Sequence, residues 1–509
     1  MSPTVPAGHH DSDDEHLASL GYAPEFRRDM SAWANFSLGF TYLSPVVAIY
    51  TMFAVGLATA GPPMIWALVV AGTGQLMVAM VFSEVVAQFP VAGGVYPWAR
   101  RLWGRRYAWM TGWIYMIALF TTIAGVVAGA GPYLASMFGF DTSVNTVILC
   151  SLAILALATV INYLGTRVLA TAAIIGFAAE LLGAVAVGCW LLLTERHHNL
   201  GILVDSFGTG DGTDYLWAFA AASLVGIYNY YGFEACGDVA EEVRDPGRMI
   251  PKAMRRTIYV GGAAATFVAV ALVLSVADIP AVVSGADADP VSGVLEAAFG
   301  AAGAKVILGI VLLSFVSCAM SLQAAAGRLA YSYGRDDMIV GSRLLRKFSP
   351  TRRIPPYSLL LAGAVPAVIV LGSKFSENSL TKIISFASLG IYLGFQMVVL
   401  AALRARLKGW RPSGAYTLGK WGLPVNIAAL VYGLVAIVTM VWPRTPAAPW
   451  YDNWIVLLSG AVVVLAGLLY MAVHRTSGRS DAPYDDAIPR PAPPTGDNGP
   501  TADREPADA

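Results

Sequence analysis

The chain has 509 residues, of which 56% are hydrophobic and only 13% charged, and its formal net charge is zero. A soluble chain carries about 25% charged residues, so this composition excludes an ordinary water-soluble protein and predicts a polytopic membrane protein. We therefore expect the lipid bilayer to surround the chain, and we predict no nucleic-acid partner.

Two observations exclude an enzyme. The chain has no Walker-type glycine loop and no CxxC, HExxH or GxSxG motif, and its longest stretches outside apolar runs, of about 20–35 residues, are too short to bury a catalytic core.

Its four cysteines (Cys150, Cys189, Cys236 and Cys318) lie inside apolar runs at spacings that suggest neither a disulfide nor a metal site. We predict no cofactor and no metal ion.

Twelve apolar runs of about 17–30 residues are each long enough to cross a bilayer. We number them spans 1 to 12. They cover about residues 35–58, 62–88, 107–137, 144–164, 168–194, 215–240, 257–278, 302–333, 357–373, 379–403, 424–442 and 452–474.

The ends of the chain are polar. Residues 1–34 are predicted to form a cytoplasmic tail with a short surface helix over 17–31, and residues 475–509, rich in Pro, Asp and Gly, a disordered cytoplasmic tail. If the N-terminus is inside the cell, the inner loops hold 21 Lys and Arg and the outer loops five. This asymmetry predicts that both termini are in the cytoplasm. In a bacterial or fungal cell the membrane would be the plasma membrane.

An internal repeat organises the spans. Spans 2 and 7 start 195 residues apart, as do spans 3 and 8, and spans 1 and 6 are each interrupted, at residues 42–45 and 229–232. Paired interrupted helices mark the midplane site of many transporters, although a lone proline more often only kinks a helix. The pattern predicts an all-α fold of two inverted five-helix repeats (about 35–194 and 215–403), with discontinuous helices 1 and 6, and two additional helices (424–474).

Four stretches resemble the amino acid–polyamine–organocation superfamily, and within it the amino acid/choline permease group. They are LGYAPEFRR (20–28), SEVVAQFPVAGGVYPWA (83–99), YGFEACGDVAEEVRDPGRMIP (231–251) and RLAYSYGRDD (328–337). The resemblance implies ten core helices, two further helices and alternating access. It also implies a glycine-rich break in span 1 that holds a substrate carboxylate. Residues 44–48 contain no glycine here, and Pro45 has no N–H, which puts that manner of capture in doubt.

Ionisable groups deep in a bilayer are costly and usually functional, and only Glu180 in span 5 and Glu234 in span 6 lie well inside. Arg328 lies nearer a span end, where it can snorkel. We interpret Glu234 as a proton-coupling or cation-contacting group, or as a cap on the free N–H groups of the second half-helix. For Glu180, coupling and structural hydrogen bonding are equally supported.

The remaining candidates would line a cavity at the two breaks and bind substrate. Tyr228, Tyr231 and Phe233 offer cation–π contact, although helix packing explains these rings equally well. Small residues of span 1 leave room for substrate but also let helices approach. Hydroxyls on spans 3 and 8 offer hydrogen bonds, and for those of span 8 hydrogen bonding between helices is the stronger explanation. The predicted substrate-binding residues are Ser44, Val46, Val47, Ala48, Thr111, Tyr115, Tyr228, Tyr231, Gly232, Phe233 and Ser317.

These observations predict a secondary transporter that imports an amino acid, polyamine or choline-like amine, with protons as the coupling ion. Two alternatives stay open: an exchanger of the same fold, and a membrane solute sensor with little transport.

Overall fold

The computed structural model describes residues 8–210, 214–375, 379–443, 449–474, 478 and 480–489. Over these ranges the chain is helical, and its only extended pairing consists of two isolated bridges, Met30 with Val243 and Ser349 with Ile354. Eleven of the helices described are long and apolar enough to cross a membrane. The interrupted span 6, with its apolar piece Tyr215–Asn229, completes the predicted all-α set of twelve.

All twelve predicted runs appear as helices. In chain order from span 1 to span 12 they are Ala32–Leu43 with Pro45–Ala60; Pro62–Met64 with Ile65–Gln88; Arg105–Phe138; Val144–Tyr163; Thr166–Thr194; Asp214–Ala222, Leu224–Asn229 and Ala235–Asp238; Pro246–Ser275; Pro290–Arg335; Pro356–Gly372; Ser379–Leu407; Gly422–Val441; and Ile455–His474.

Spans 7 and 8 extend beyond their apolar runs. Span 7 begins at Pro246, a residue type that suits the first helical turn because its missing N–H is not needed there. Span 8 is preceded by helical residues 290–299, and Gly300, with φ 64°, joins the two parts across a kink. Asp289 starts this extra helix by accepting a hydrogen bond from the Ser292 N–H (3.3 Å).

Both tails differ from expectation. The first helix is Gly8–Ser19, not 17–31, and it ends before an extended stretch. Residues 480–489, predicted to be disordered, pack against the bundle: the buried Arg100 guanidinium donates to Ser480 Oγ (2.6 Å) and to the Ala482 carbonyl (2.7 Å). Composition did not reveal this contact, because the partners lie far away in the chain. Residues 490–509 lie outside the described part of the chain.

The bundle has a packed centre and a lipid-facing rim. Span 3 is the central helix. In its most apolar 18-residue stretch 89% is buried inside the protein, whereas only 6% is buried in the corresponding stretch of span 12. Span 2 packs along span 7, and spans 8 and 10 pack along span 3. Spans 1 and 6 touch at their breaks, and both described tails reach the same end of the bundle, which we call the tail face.

Candidate transport site

The break in span 1 is a single residue. Ser44 has φ 42°, ends the first half by donating its N–H to the Phe40 carbonyl (2.8 Å), and precedes Pro45, the first residue of the second half. From span 5, Glu180 Oε1 accepts hydrogen bonds from Ser44 Oγ (2.6 Å) and the Val46 N–H (3.0 Å).

The second half of span 1 therefore has its first N–H groups occupied. Pro45 has none, Val46 donates to Glu180, and Val47 donates to Ser44 Oγ (3.3 Å). A substrate carboxylate finds no free donor among these groups in this conformation, which agrees with the departure from the family pattern noted in the sequence.

The break in span 6 is longer and open. The helix stops at Asn229 and regular helix resumes at Ala235. Gly232 adopts φ 115°, and a Cβ atom there would lie 2.6 Å from the Leu43 backbone nitrogen. Only glycine has both this backbone conformation and the room for spans 1 and 6 to touch.

Glu234 holds the open segment together. Its fully buried carboxylate accepts the Gly232 N–H at Oε2 (2.8 Å) and the Tyr115 hydroxyl of span 3 at Oε1 (2.9 Å). The carboxylate thus caps the unwound segment, not the second half-helix as predicted: it accepts the Gly232 N–H ahead of Ala235–Asp238 and makes no cap hydrogen bond to that helix. A carboxylate that joins the span 6 break to span 3 is also placed to change that link when its charge changes.

A third deep carboxylate escaped the sequence analysis. Asp238 ends the helical turn that follows the break and is fully buried. Within the described residues, neither of its oxygens accepts a hydrogen bond from a protein group. Its signal in the sequence was weak, because Cys236–Gly237–Asp238 reads as the polar end of an apolar run.

A small closed cavity lies between spans 1, 3, 6 and 8. Its volume of about 10 Å³ is close to that of one water probe, so the site is closed around its centre. The rings of Tyr228 and Tyr231 meet edge to face at 5.6 Å on its span 6 side. Its lining consists of Tyr42, Leu43, Val47, Ala48, Thr122, Val126, Tyr228, Tyr231, Cys318 and Leu322.

Four predicted substrate-binding residues line this cavity: Val47, Ala48, Tyr228 and Tyr231. A second group frames the breaks around it. This group comprises Ser44, Val46, Tyr115 and Gly232, together with the two predicted coupling residues Glu180 and Glu234.

Three predicted residues point elsewhere. Thr111 donates its hydroxyl to the Tyr107 carbonyl of its own helix (2.9 Å). The Phe233 ring packs on Phe82 and Phe395 of spans 2 and 10, at centroid distances of 5.8 and 5.4 Å. An unwound segment has no helical period, so the direction of the Phe233 side chain could not be read from the sequence.

Ser317, the third of these, packs against Gly176 of span 5. Ser317 belongs to a stripe of hydroxyls on span 8 together with Ser314 and Ser321, and these two are also hydrogen-bonded inside the bundle. Ser321 Oγ and Thr41 Oγ of span 1 lie 2.8 Å apart, and Ser314 donates to the carbonyl of Ile310 (3.1 Å). These contacts match the helix-packing interpretation of the stripe.

Ion pairs seal the tail face below the site. Arg328, expected to snorkel, is instead fully buried and donates to both oxygens of Glu242 (2.7 and 3.1 Å). Arg335 likewise donates to Glu241, which also accepts the Ala92 N–H (3.0 Å). The end of span 6 is thereby tied to span 8 and to the loop after span 2.

Comparisons with known proteins agree with this architecture. The chain is 24% identical over 449 residues to the amino-acid permease BAT1 of Arabidopsis thaliana, covering 83% of this chain and 87% of that protein. It is 25% identical to a putative amino acid/polyamine transporter of Macrophomina phaseolina, covering 79% of this chain and 92% of that protein.

A crystal structure of a mutant Eremococcus coleocola manganese transporter has a similar fold, with a TM-score of 0.58 and 13% identity over 93% of this chain and 97% of that one. The amino acid permease family profile matches residues 31–468. The chain therefore belongs to the amino acid permease family, and it is a multi-pass membrane transporter.

Proposed function

We propose that this permease imports an amino acid or a related small amine together with a proton, by alternating access around the cavity between spans 1, 3, 6 and 8. The observation that carries the proposal is the position of Glu234, a buried carboxylate that bridges the span 6 break and span 3. The tail face is cytoplasmic, as the distribution of Lys and Arg favours, and the membrane is the plasma membrane.

The chemistry of the site suits a cationic amine group. Glu234 and Glu180 lie at the two breaks, and Tyr228 and Tyr231 line the cavity beside them. An ammonium group gains from both a carboxylate and an aromatic face in a site that excludes water. The names of the plant and fungal relatives, an amino-acid permease and a putative amino acid/polyamine transporter, support this substrate class.

Protonation of Glu234 provides the coupling step. A neutral carboxyl group accepts hydrogen bonds more weakly than a carboxylate, so the proton loosens the contacts with Gly232 and Tyr115 that fix the break. The freed segment can then close with span 1 around the substrate. One charge moved across 100 mV contributes about 2.3 kcal/mol, which supports roughly fifty-fold accumulation at about 1.4 kcal/mol per decade.

The test is uptake into proteoliposomes that contain the purified full chain, with a panel of amino acids, polyamines and choline. A pH gradient and a sodium gradient are imposed separately. We expect accumulation of an amine-bearing substrate under the pH gradient alone. Accumulation that requires the sodium gradient would show a sodium symporter instead. Accumulation that requires a substrate inside the liposomes would show an exchanger. Binding of substrate without any flux would show a sensor.

The matched variant is Glu234→Gln, which keeps the size of the side chain and removes its ionisation. We expect pH-driven accumulation to fall to the level of equilibration, while counterflow of labelled substrate between the two sides remains. Unchanged pH-driven accumulation in this variant would refute the coupling role of Glu234.

A further inference from the structure

Asp238 lies one helical turn beyond Glu234 on the same helix face. The Asp238 N–H donates to the Glu234 carbonyl (3.1 Å), so the two residues are in helical i, i+4 register. Their side chains therefore follow one another along the helix axis, with Glu234 toward the cavity and Asp238 toward the tail face.

The surroundings of Asp238 are tight and apolar. Its backbone carbonyl accepts the Gly93 N–H (2.9 Å), which pulls the turn after span 2 against span 6. A Cβ atom on Gly94 would collide with Asp238 Oδ1, so this glycine leaves the room that the carboxyl group occupies. Gly237 faces the ring of Trp98 and the methyl group of Met254.

Glu234 and Asp238 have opposite hydrogen-bond environments. Glu234 receives two donors, one at each oxygen, which stabilise the ionised form. The Tyr115 hydroxyl comes within reach of both carboxyl groups and donates to Glu234 in this structure, so Asp238 has no hydrogen-bond donor of its own among the described residues. An ionised carboxylate that is buried without a donor is strongly unfavourable. Two neighbouring carboxylates also disfavour a second negative charge. In this conformation a single proton shared by the pair belongs on Asp238.

The other ionisable groups near Asp238 come from three further spans. Arg328 of span 8 is the positive one, and it is already engaged by both oxygens of Glu242. From span 7 and the helix after span 2 the facing side chains, Met254 and Trp98, do not titrate. The remaining titratable groups are Tyr42 of span 1, Tyr115 of span 3 and Cys236 of span 6.

Beyond Asp238 the helix ends, and a 3₁₀ turn over Ala240–Glu242 leads to the ion pairs of the tail face. Glu241 and Glu242 follow one turn later and are held by Arg335 and Arg328. Asp238 is thus the buried carboxyl group nearest to this seal on the line from Glu234. When the seal opens, Asp238 is the first member of the buried pair to meet water from the cytoplasm.

We propose that Asp238 takes the coupled proton from Glu234 and releases it to the cytoplasm. In the closed state the proton moves from the Glu234 carboxyl group to the Asp238 carboxylate, leaving Glu234 ionised and bonded to Gly232 and Tyr115. After the tail face opens, the Asp238 carboxyl group gives this proton to water and becomes a carboxylate. This inference rests on the proposed proton coupling and adds the residue through which the proton leaves.

The test uses Asp238→Asn in the full chain, reconstituted in proteoliposomes with an internal pH-sensitive dye. Asn has nearly the size of a neutral Asp but cannot give up a proton. We expect the proton flux that accompanies substrate uptake to fall by at least about tenfold, equivalent to about 1.4 kcal/mol of added activation free energy. Counterflow of labelled substrate, which needs no net proton movement, should stay within about twofold of the unmodified protein, a difference of about 0.4 kcal/mol.

A second measurement does not depend on transport. The infrared spectrum of the closed protein should contain the carbonyl band of a protonated carboxyl group, and this band should shift on transfer to heavy water. Because Glu180 is also a buried acid with one unpartnered oxygen among the described residues, the spectra are compared in the Glu180→Gln background. There we expect Asp238→Asn to remove the band and Glu234→Gln to leave it. A band that survives in Asp238→Asn and disappears in Glu234→Gln would place the proton on Glu234 and overturn the proposal.

The failures of the two proposals can be told apart. If uptake by the unmodified protein moves no protons, the proposed coupling fails and the role of Asp238 fails with it. If the unmodified protein moves protons, Glu234→Gln does not, and Asp238→Asn still does, then coupling stands and the exit through Asp238 is refuted.

Discussion

The two broken spans provide hydrogen-bond partners for their freed backbone N–H groups in different ways. In span 1 one residue, Ser44, leaves the helix, and the carboxylate that accepts the freed N–H comes from another helix, through Glu180. In span 6 the regular helix is lost over residues 230–234, and the carboxylate, Glu234, belongs to the break itself. Both are buried acids that accept a backbone N–H at a helix break, yet their surroundings differ.

This difference separates a fixed break from a movable one. The contacts of Glu180 all go to the start of one rigid half-helix, and its second oxygen accepts from no group among the described residues. Those of Glu234 join the unwound backbone to span 3, and Asp238 follows one turn away. We infer that the span 1 break shapes the cavity and that the span 6 break responds to the proton.

The largest effect is expected at the contact between the two breaks. Gly232→Ala adds a Cβ atom 2.6 Å from the Leu43 nitrogen and strains a residue at φ 115°, so spans 1 and 6 must separate. We expect substrate binding, measured by ligand-induced thermal stabilisation, to be lost. The matched control is Gly139→Ala, at φ 71° with open space around it, which carries only the backbone strain of about 1–2 kcal/mol. Binding that survives equally in both variants would remove the break contact from the site.

The second-largest effect is expected at the ion pairs that anchor the ends of spans 1 and 6. Glu242 is buried just beyond the end of span 6. Arg328→Met leaves it without its cationic partner, which typically costs about 3–5 kcal/mol. Arg27→Met removes an exposed partner of Asp29 ahead of span 1, for which about 0–1 kcal/mol is typical. Thermal unfolding in detergent should show a large loss of stability for the first and almost none for the second. Equal losses of stability in the two variants would contradict the conclusion that span 6 depends on a buried ion pair and span 1 on an exposed one.

Much of this comparison was accessible from the sequence. The apolar runs, the glycine break of span 6 and Glu234 were predicted, because hydropathy and glycine act locally in a bilayer. The span 1 break was predicted from Pro45, although its cap by Glu180 depends on a helix far away in the chain. Such distant pairings leave no local signal.

The sequence missed features whose cause is three-dimensional. Asp238 looked like the polar end of a run, and only the packing of the Gly93–Gly94 turn against it makes it a buried acid. The tail residues 480–489 have the composition of a disordered segment, and they are ordered by contacts with Arg100 and Arg101. Phe233 was placed in the cavity because it flanks the break, but its ring faces spans 2 and 10.

A smaller effect is expected at the span 1 cap. Glu180→Ala leaves the buried Val46 N–H and the Ser44 hydroxyl without their acceptor, which costs about 1–3 kcal/mol. Glu180→Gln keeps an oxygen in place and should recover most of this stability. Thermal unfolding of the two variants side by side measures the difference. If Gln is as destabilising as Ala, the charge of Glu180 matters beyond its capping role.

The most direct test of the account is pH-driven accumulation, divided by counterflow, in Glu234→Gln and Glu180→Gln measured together in proteoliposomes. We predict that the ratio collapses in Glu234→Gln and stays near that of the unmodified protein in Glu180→Gln. The reverse result, with coupling lost at Glu180 and kept at Glu234, would contradict the assignment of the span 6 break as the site that responds to the proton.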